Sequence, residues 1–330
     1  MDALATVAAI ARDQHADGAI PHFPKGIIDP WNHVEAAMAL DVGGLHAAAE
    51  SAYRWLVEMQ RPDGGWHAAY REREVIEPTL DTNFCAYFAA GAWHHYLITG
   101  DADFLMRVWD TVQRAIAFTL RLARPDGTIS WARDAKGEPW PGALLTSCSC
   151  IAISLRSAIA IAEKLEQPQP DWELALVELE AALRGPGSAF EPKDNFAMDW
   201  YYPVLSGALN KEAARARIRS RWDDFVIGEK GCRCVEERPW ITSGETAELI
   251  LACLRAGFTT EAERLLVWVQ HLRAEDDAYW IGATHPDGTV WPREKPTWGS
   301  GAVVLAWAAL DGEAATRELF ALDEPVRDPL

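Results

Sequence analysis

Arg61-Pro-Asp-Gly-Gly-Trp66 and Arg124-Pro-Asp-Gly-Thr-Ile129 share one punctuation, an Asp-Gly turn followed by an apolar residue, and His15-Ala-Asp-Gly-Ala-Ile20 and His285-Pro-Asp-Gly-Thr-Val290 repeat it. Asp bonds backbone two residues ahead and Gly accepts positive φ, so each pair predicts a tight turn leading into extended chain. Two weaker signals, Gly185-Pro-Gly187 and Gly228-Glu-Lys-Gly231, fill the gaps, giving six turns in all.

Working outward, each turn is followed by a loop rich in aromatic and polar residues and then by a stretch of small and apolar ones, over 32–39, 81–98, 146–165, 195–209, 243–256 and 297–309. Few charges interrupt these stretches, which predicts helices buried on nearly every side. Between them lie amphipathic segments at 45–60, 103–123, 172–183, 211–223, 261–272 and 313–320, expected to be helices with one face in solvent. The junctions from buried to amphipathic helix are short, as at Gly43-Gly44, Thr99-Gly100-Asp101 and Asp311-Gly312. All long loops therefore fall at the other end.

Alternating buried and amphipathic helices can satisfy their apolar faces as an inner ring inside an outer ring. The expectation is an all-α fold, an (α/α)6 toroid of six helical hairpins forming a single domain over residues 1–330. An open solenoid is the alternative, but the terminal repeats lack the polar caps it requires. On the ring reading, the long loops and the positive ends of the inner helices share one face.

That face is rich in tryptophan and carboxylate. The chain has 16 Trp, and Trp31, Trp66, Trp131, Trp140, Trp240, Trp291 and Trp298 fall in or beside the long loops. An indole gives a flat apolar surface for the CH face of a sugar and an N–H for its hydroxyls, although a Trp can equally wedge between helices. Carboxylates gather at inner-helix starts: Asp29-Pro-Trp-Asn-His-Val-Glu35, Thr79-Leu-Asp-Thr-Asn83, Asp194-Asn-Phe-Ala-Met-Asp-Trp-Tyr-Tyr202 and Thr242-Ser-Gly-Glu-Thr246. Each has a capping explanation, Asn32 with Glu35 and Thr242 with Glu245 matching the capping box. Capping alone does not ask for Trp, Tyr, His and Asn beside every one of them.

Glycoside cleavage requires two carboxyl groups, one acting as acid and the other as base or nucleophile. The preferred pair is Asp29, in an aromatic loop, and Glu245, beside a Gly244 that permits close approach. Asp81, Asp194 and Asp199 stand in reserve. Trp31, His33, Glu35, Asp81, Asn83, Trp131, Asp194, Asp199, Tyr201, Tyr202, Trp240 and Trp298 are the candidate substrate-binding residues.

Composition narrows the partners. With 31 Lys and Arg against 49 Asp and Glu, the net charge of −18 disfavours nucleic acid, anionic membranes and acidic polysaccharides, leaving a neutral carbohydrate as the easier ligand. Residues 1–17 lack the basic start and apolar run of a signal peptide, and no charge-free apolar stretch is long enough for a membrane span. The six cysteines read as reduced and the chain as cytoplasmic. A homodimer is compatible with the sequence, and neither a metal nor a cofactor is expected. Cys148-Ser-Cys150 and Cys232-Arg-Cys234 do not have zinc spacings.

Six hairpins, Asp63-Gly-Gly-Trp66 and the acidic-aromatic rim segments together resemble the six-hairpin glycosidases of the (α/α)6 toroid class. The chain is also similar to actinobacterial sequences that automatic naming calls prenyltransferase-like. Prenyl chemistry does not fit, since Glu275-Asp-Asp277 and Asp101-Ala-Asp103 are not the Asp-x-Asp-Asp run of protonating cyclases. Among such sequences are the hydrolases of methylmannose polysaccharides, whose rim motifs Asp29-Pro-Trp-Asn-His33 and Ser243-Gly-Glu245 resemble. That resemblance implies a glycoside hydrolase, an endo-α-1,4-mannanase acting on methylmannose polysaccharide. Two other classes stay open at this point. A sugar epimerase of the same shape would need a histidine pair drawn from His33, His67, His94, His95 and His285; a non-catalytic toroid would bind a glycan or protein through its rim.

Overall fold

The computed structural model describes residues 2–321. Outer and inner helices alternate six times: α1 (Ala3–Asp13) and α2 (Pro30–Val42); α3 (His46–Met59) and a broken helix, α4 (Thr82–Ala86) with α5 (Phe88–Thr99); α6 (Ala102–Leu120) and α7 (Leu145–Lys164); α8 (Pro170–Arg184) and α9 (Ala197–Leu205); α10 (Lys211–Ser220), followed by the one-turn α11 (Trp222–Phe225), and α12 (Ser243–Ala256); α13 (Thr259–Trp268) and α14 (Thr297–Asp311). Each inner helix packs on the next, α2 on α5, α5 on α7, α7 on α9, α9 on α12 and α12 on α14, and α14 packs back on α2. The ring is therefore closed, and the solenoid alternative falls.

The repeated turn explains how the hairpins register. His15, Arg61 and Arg124 each donate their N–H to the carbonyl four residues on, at 2.8, 3.0 and 2.8 Å. Gly18, Gly64 and Gly127 sit at φ +97°, +91° and +80°. A Cβ on them would lie 2.1 Å from the Ser51 carbonyl oxygen on α3, 2.2 Å from that of Arg114 on α6 and 2.8 Å from that of Glu178 on α8. Each turn thus docks on the backbone of the next outer helix, and only glycine satisfies both the dihedral and the approach.

Two assignments change. The copy belonging to α14 is not His285–Gly288, which caps a small strand hairpin, but residues 274–278, where Ala274 N–H bonds Ala278 O at 2.8 Å and Asp277 takes φ +71°. This turn docks on α1, with Thr6 Oγ1 donating to Asp277 O at 2.9 Å and Arg12 to Asp276 O at 2.8 Å. The outer helix completing the ring is accordingly α1. The segment expected to fill that place forms α15 (Ala314–Phe320), which packs on α5, α12 and α14 and so lies under the inner ring. His94 on α5 bonds Thr316 there at 3.0 Å.

Four two-stranded antiparallel sheets, which the helical periodicity could not show, sit in the loops: β1 (Ala69–Arg71) with β2 (Glu74–Glu77), β3 (Leu80–Asp81) with β4 (Ala132–Arg133), β5 (Val226–Ile227) with β6 (Gly231–Cys232), and β7 (Trp240–Thr242) with β8 (Gly282–Thr284). The β3–β4 and β7–β8 pairs each tie the loops of neighbouring hairpins into one rim. Among the described helices, only α7 is long and apolar enough to cross a membrane, and most of it is buried in the ring.

Candidate active site

Three inner helices assemble one side of the bowl. Asp29, only 4% exposed, is the N-cap of α2, with Oδ1 accepting the Asn32 N–H at 2.9 Å. Its Oδ2 faces His22 Nε2 at 2.5 Å and accepts from Asn32 Nδ2 at 2.7 Å. Pro30 at the first helical position leaves no unbonded N–H there. The expected Asn32–Glu35 capping box is absent, because Asp29 already makes the cap. Across α14, Glu245 stands in the first turn of α12, its Oε2 accepting the Thr242 hydroxyl, with the Cys234 thiol also bonded to it. Thr242 hence serves the Glu245 side chain instead of capping the helix. Gly244 leaves room for the Trp298 ring, since a Cβ there would lie 2.5 Å from Cζ3. Trp298 meets His22 edge-on at 6.3 Å, joining the two carboxylate stations through α14.

The other side is an open cavity of ≈ 270 Å³ lined by residues of α2, α4, α7 and α9. Trp31 stands between Tyr87 and Tyr202, edge-to-face with both at 6.0 and 6.1 Å. Three buried polar atoms in this lining, Trp31 Nε1, Asn83 Oδ1 and Ser147 Oγ, have no hydrogen-bond partner among the described residues, as is also true of Ser243 Oγ and Trp298 Nε1 near Glu245. Leaving such groups unpaired is costly unless a ligand or water completes them. Asp81 caps α4 through Oδ1, and burial pushes its carboxyl up to about 7 against the Phe84 and Asn83 N–H donors, with Asp29 adding like charge. Asp199 is raised by burial and accepts from Thr146 Oγ1 at 2.6 Å.

Beneath lies a second pair of acids. Glu35 accepts from Tyr87 Oη at 3.0 Å, and burial pushes it up to about 7. Glu248 receives both the Tyr201 and Tyr202 hydroxyls, and burial with the nearby Glu35 charge pushes it up to about 8. Tyr201 and Tyr202 therefore act on the floor through Glu248. Glu248 was missed in the sequence, although its signal was present: it is the single charge in Thr246-Ala-Glu-Leu-Ile-Leu-Ala-Cys253, one turn beyond Glu245.

Other predicted residues lie farther out. His33 is 1% exposed and stacked on Trp55, with Nδ1 accepting the Ile20 N–H and Nε2 bonded to Ala52 O, so its ring is spent between α2 and α3. Burial lowers its pKa to about 4. Asp194 is exposed and lines an adjoining groove with Arg217 and Arg221, which shares only Asp199 with the cavity. Trp131 packs on Trp140 at 5.2 Å and Trp240 on Trp291 at 6.0 Å, two aromatic pairs on the loops before α7 and before α12 and α14. Trp66 is a fully buried wedge. His94 and His95 are buried near the C-terminal end of α5, away from the rim, and His95 pairs with Asp41 at 2.8 Å. His33, His94 and His95 are thus engaged in packing and do not supply the histidine pair an epimerase would require.

No family model matches the chain. It is 48% identical over 315 residues to the MMP endo-(1,4)-3-O-methyl-alpha-D-mannosidase of Mycolicibacterium hassiacum, covering 96% of this chain and 88% of that protein. Among solved structures, a glycosidase variant in complex with glucose superposes with TM-score 0.75 at 15% identity, covering 93% of this chain and 96% of the other. A sugar epimerase from a ruminal bacterium superposes with TM-score 0.70 at 10% identity, covering 92% and 95%. At such identities the structures establish the toroid alone.

Proposed function

The chain belongs to the family of the MMP endo-(1,4)-3-O-methyl-alpha-D-mannosidase and is a glycoside hydrolase, and we propose that it cleaves internal α-1,4 links of a 3-O-methylated mannan, with Asp29 and Glu245 as its acid–base pair. The observation carrying this reading is that these two carboxyl groups stand at the starts of α2 and α12, on either side of α14, whose Trp298 meets His22, the partner of Asp29, and Gly244, the neighbour of Glu245. An oxocarbenium-like transition state carries positive charge, and a bowl holding Asp29, Asp81, Asp199 and Glu245 favours it electrostatically.

Asp29 is ringed by donors that hold one rotamer, the preorganisation a proton-transfer group needs. Glu245 is fixed by Thr242 and Cys234, which aim its carboxyl from the helix start. The partnerless atoms of Trp31, Asn83, Ser147, Ser243 and Trp298 would take sugar hydroxyls. Open aromatic loops on both sides of the bowl favour a chain passing through over a chain end entering a closed pocket. The test is to incubate the protein with 3-O-methylated α-1,4-mannooligosaccharides and size the products. Mid-chain fragments are expected; release of monosaccharide alone would overturn endo action, and no new reducing ends would overturn hydrolysis of this substrate.

A further inference from the structure

The cavity between α2 and α9 carries two kinds of lining. Trp31, Asp81, Asn83, Ser147, Lys193 and the bonded pair Thr146 and Asp199 offer polar atoms, and Trp31, Asn83 and Ser147 each have a buried one with no partner among the described residues, while the side chains of Phe84, Leu144, Phe196 and Met198 offer only carbon and sulfur. The apolar part stands where local stability asks for something else. Leu144 is the N-cap of α7 and Phe196 the N-cap of α9, and neither makes a capping bond. The neighbouring inner helices α2 and α4 have Asp29 and Asp81 at the same position, both capping. Ser, Thr, Asp or Asn would stabilise either helix start better. Phe196 is moreover 37% exposed, a large ring left facing the opening.

A sugar bearing only hydroxyls would be poorly served by this wall, because each hydroxyl pressed against it loses water without gaining a partner. A methoxy group suits it, since its methyl carbon needs no hydrogen bond and its burial is favourable. We propose that this cavity is the subsite that selects a methoxy-bearing mannosyl unit, with Leu144, Phe196 and Met198 as specificity-determining residues around the methyl carbon and Trp31, Asp81 and Asn83 reading the remaining hydroxyls. The inference rests on the hydrolase reading above and goes beyond it by assigning the methyl selectivity to particular residues.

The experiment compares kcat/KM on α-1,4-mannooligosaccharides of equal length with and without 3-O-methyl groups, in the wild type and in the Leu144→Asn and Met198→Gln variants. Leu144→Asn supplies a cap, so the helix start should not suffer. In the wild type the methylated substrate should be preferred by about tenfold or more, the range in which one methyl-sized group is discriminated. Each variant should lower that ratio about threefold or more. Dissociation constants for the same two oligosaccharides, measured on the Glu245→Gln variant, should show the same preference. A wild-type ratio near one, or a ratio unmoved in both variants, overturns the subsite. Failure to cleave either substrate overturns the hydrolase reading instead, and the ratio of dissociation constants then still decides the subsite.

Discussion

Replacing Asp29 by Asn separates catalysis from capping, because the two roles use different oxygens. Oδ1 accepts the Asn32 N–H at 2.9 Å, and an Asn side chain turned the same way keeps that bond, Asn and Asp being about equal as N-caps. The change falls on Oδ2, which faces His22 Nε2 at 2.5 Å and Asn32 Nδ2 at 2.7 Å. An amide nitrogen there opposes the Asn32 donor and gives up the charge assistance, at a cost of about 1–2 kcal/mol. At about 2.1 cal/mol/K per residue, the unfolding entropy of a 330-residue chain is about 0.7 kcal/mol/K, so Tm should fall by about 1–3 °C. Removing a proton-transfer group should instead lower kcat by about 10²–10⁴-fold. Initial rates of reducing-end release, measured beside a melting curve, read both quantities. Activity within tenfold of wild type in a folded Asp29→Asn protein would reduce this residue to a helix cap and move the search to Asp81.

Glu245→Gln should lose activity by a similar factor of about 10²–10⁴ while retaining substrate binding, measured by calorimetry; normal turnover would remove it from the pair. Trp298→Ala should weaken oligosaccharide binding about fivefold, from the loss of about 1 kcal/mol of ring contact, and an unchanged dissociation constant would place its ring outside the subsites. Glu248, raised to about 8 from 4.5, contributes stability that is present below pH 4.5 and lost as pH rises through 8. The non-ionising Glu248→Gln should therefore gain in Tm relative to wild type between pH 5 and 9, and a difference that does not vary with pH would contradict the burial of this carboxyl. Gly64→Ala meets both a φ of +91° and the Arg114 carbonyl, and should cost about 2–4 kcal/mol in denaturant melts. At Gly288, with φ +69° and open space, the same change should cost about 1 kcal/mol; equal losses would refute the docking role of the repeated turn.

The hairpins were legible because their signals are local. An Asp-Gly turn is written in two residues, and a buried helix shows itself over a dozen or so by its lack of charge, as in 297–309, which carries no charged residue and begins where α14 begins. The same locality misled at the chain ends. His285-Pro-Asp-Gly288 carries the turn chemistry without the docking, whereas residues 274–278 dock without the glycine, since what identifies the repeat is the outer helix it meets. Likewise α1 and α15 are both short amphipathic segments, and only closure of the ring decides which fills the outer slot.

For the site, sequence reading could name acids at helix starts but not which of them face one another. Asp29 and Glu245 are 216 positions apart, and Asp194 and Asp199 only five, yet only Asp199 of the latter two reaches the cavity, standing between it and the groove where Asp194 lies exposed with Arg217 and Arg221. His33 and Glu35 lie two residues apart on α2 and so point to different sides of it, one into Trp55 and the other to Tyr87. By itself the sequence determined the turns, the alternation of buried and amphipathic helices, and the acidic-aromatic character of one end, each encoded within a few neighbouring residues. Only the tertiary structure decided the convergence of Trp31, Asp81, Leu144 and Met198 on one cavity and the burial that raises Glu35 and Glu248 together, because these depend on how six helices rotate and register as the ring closes.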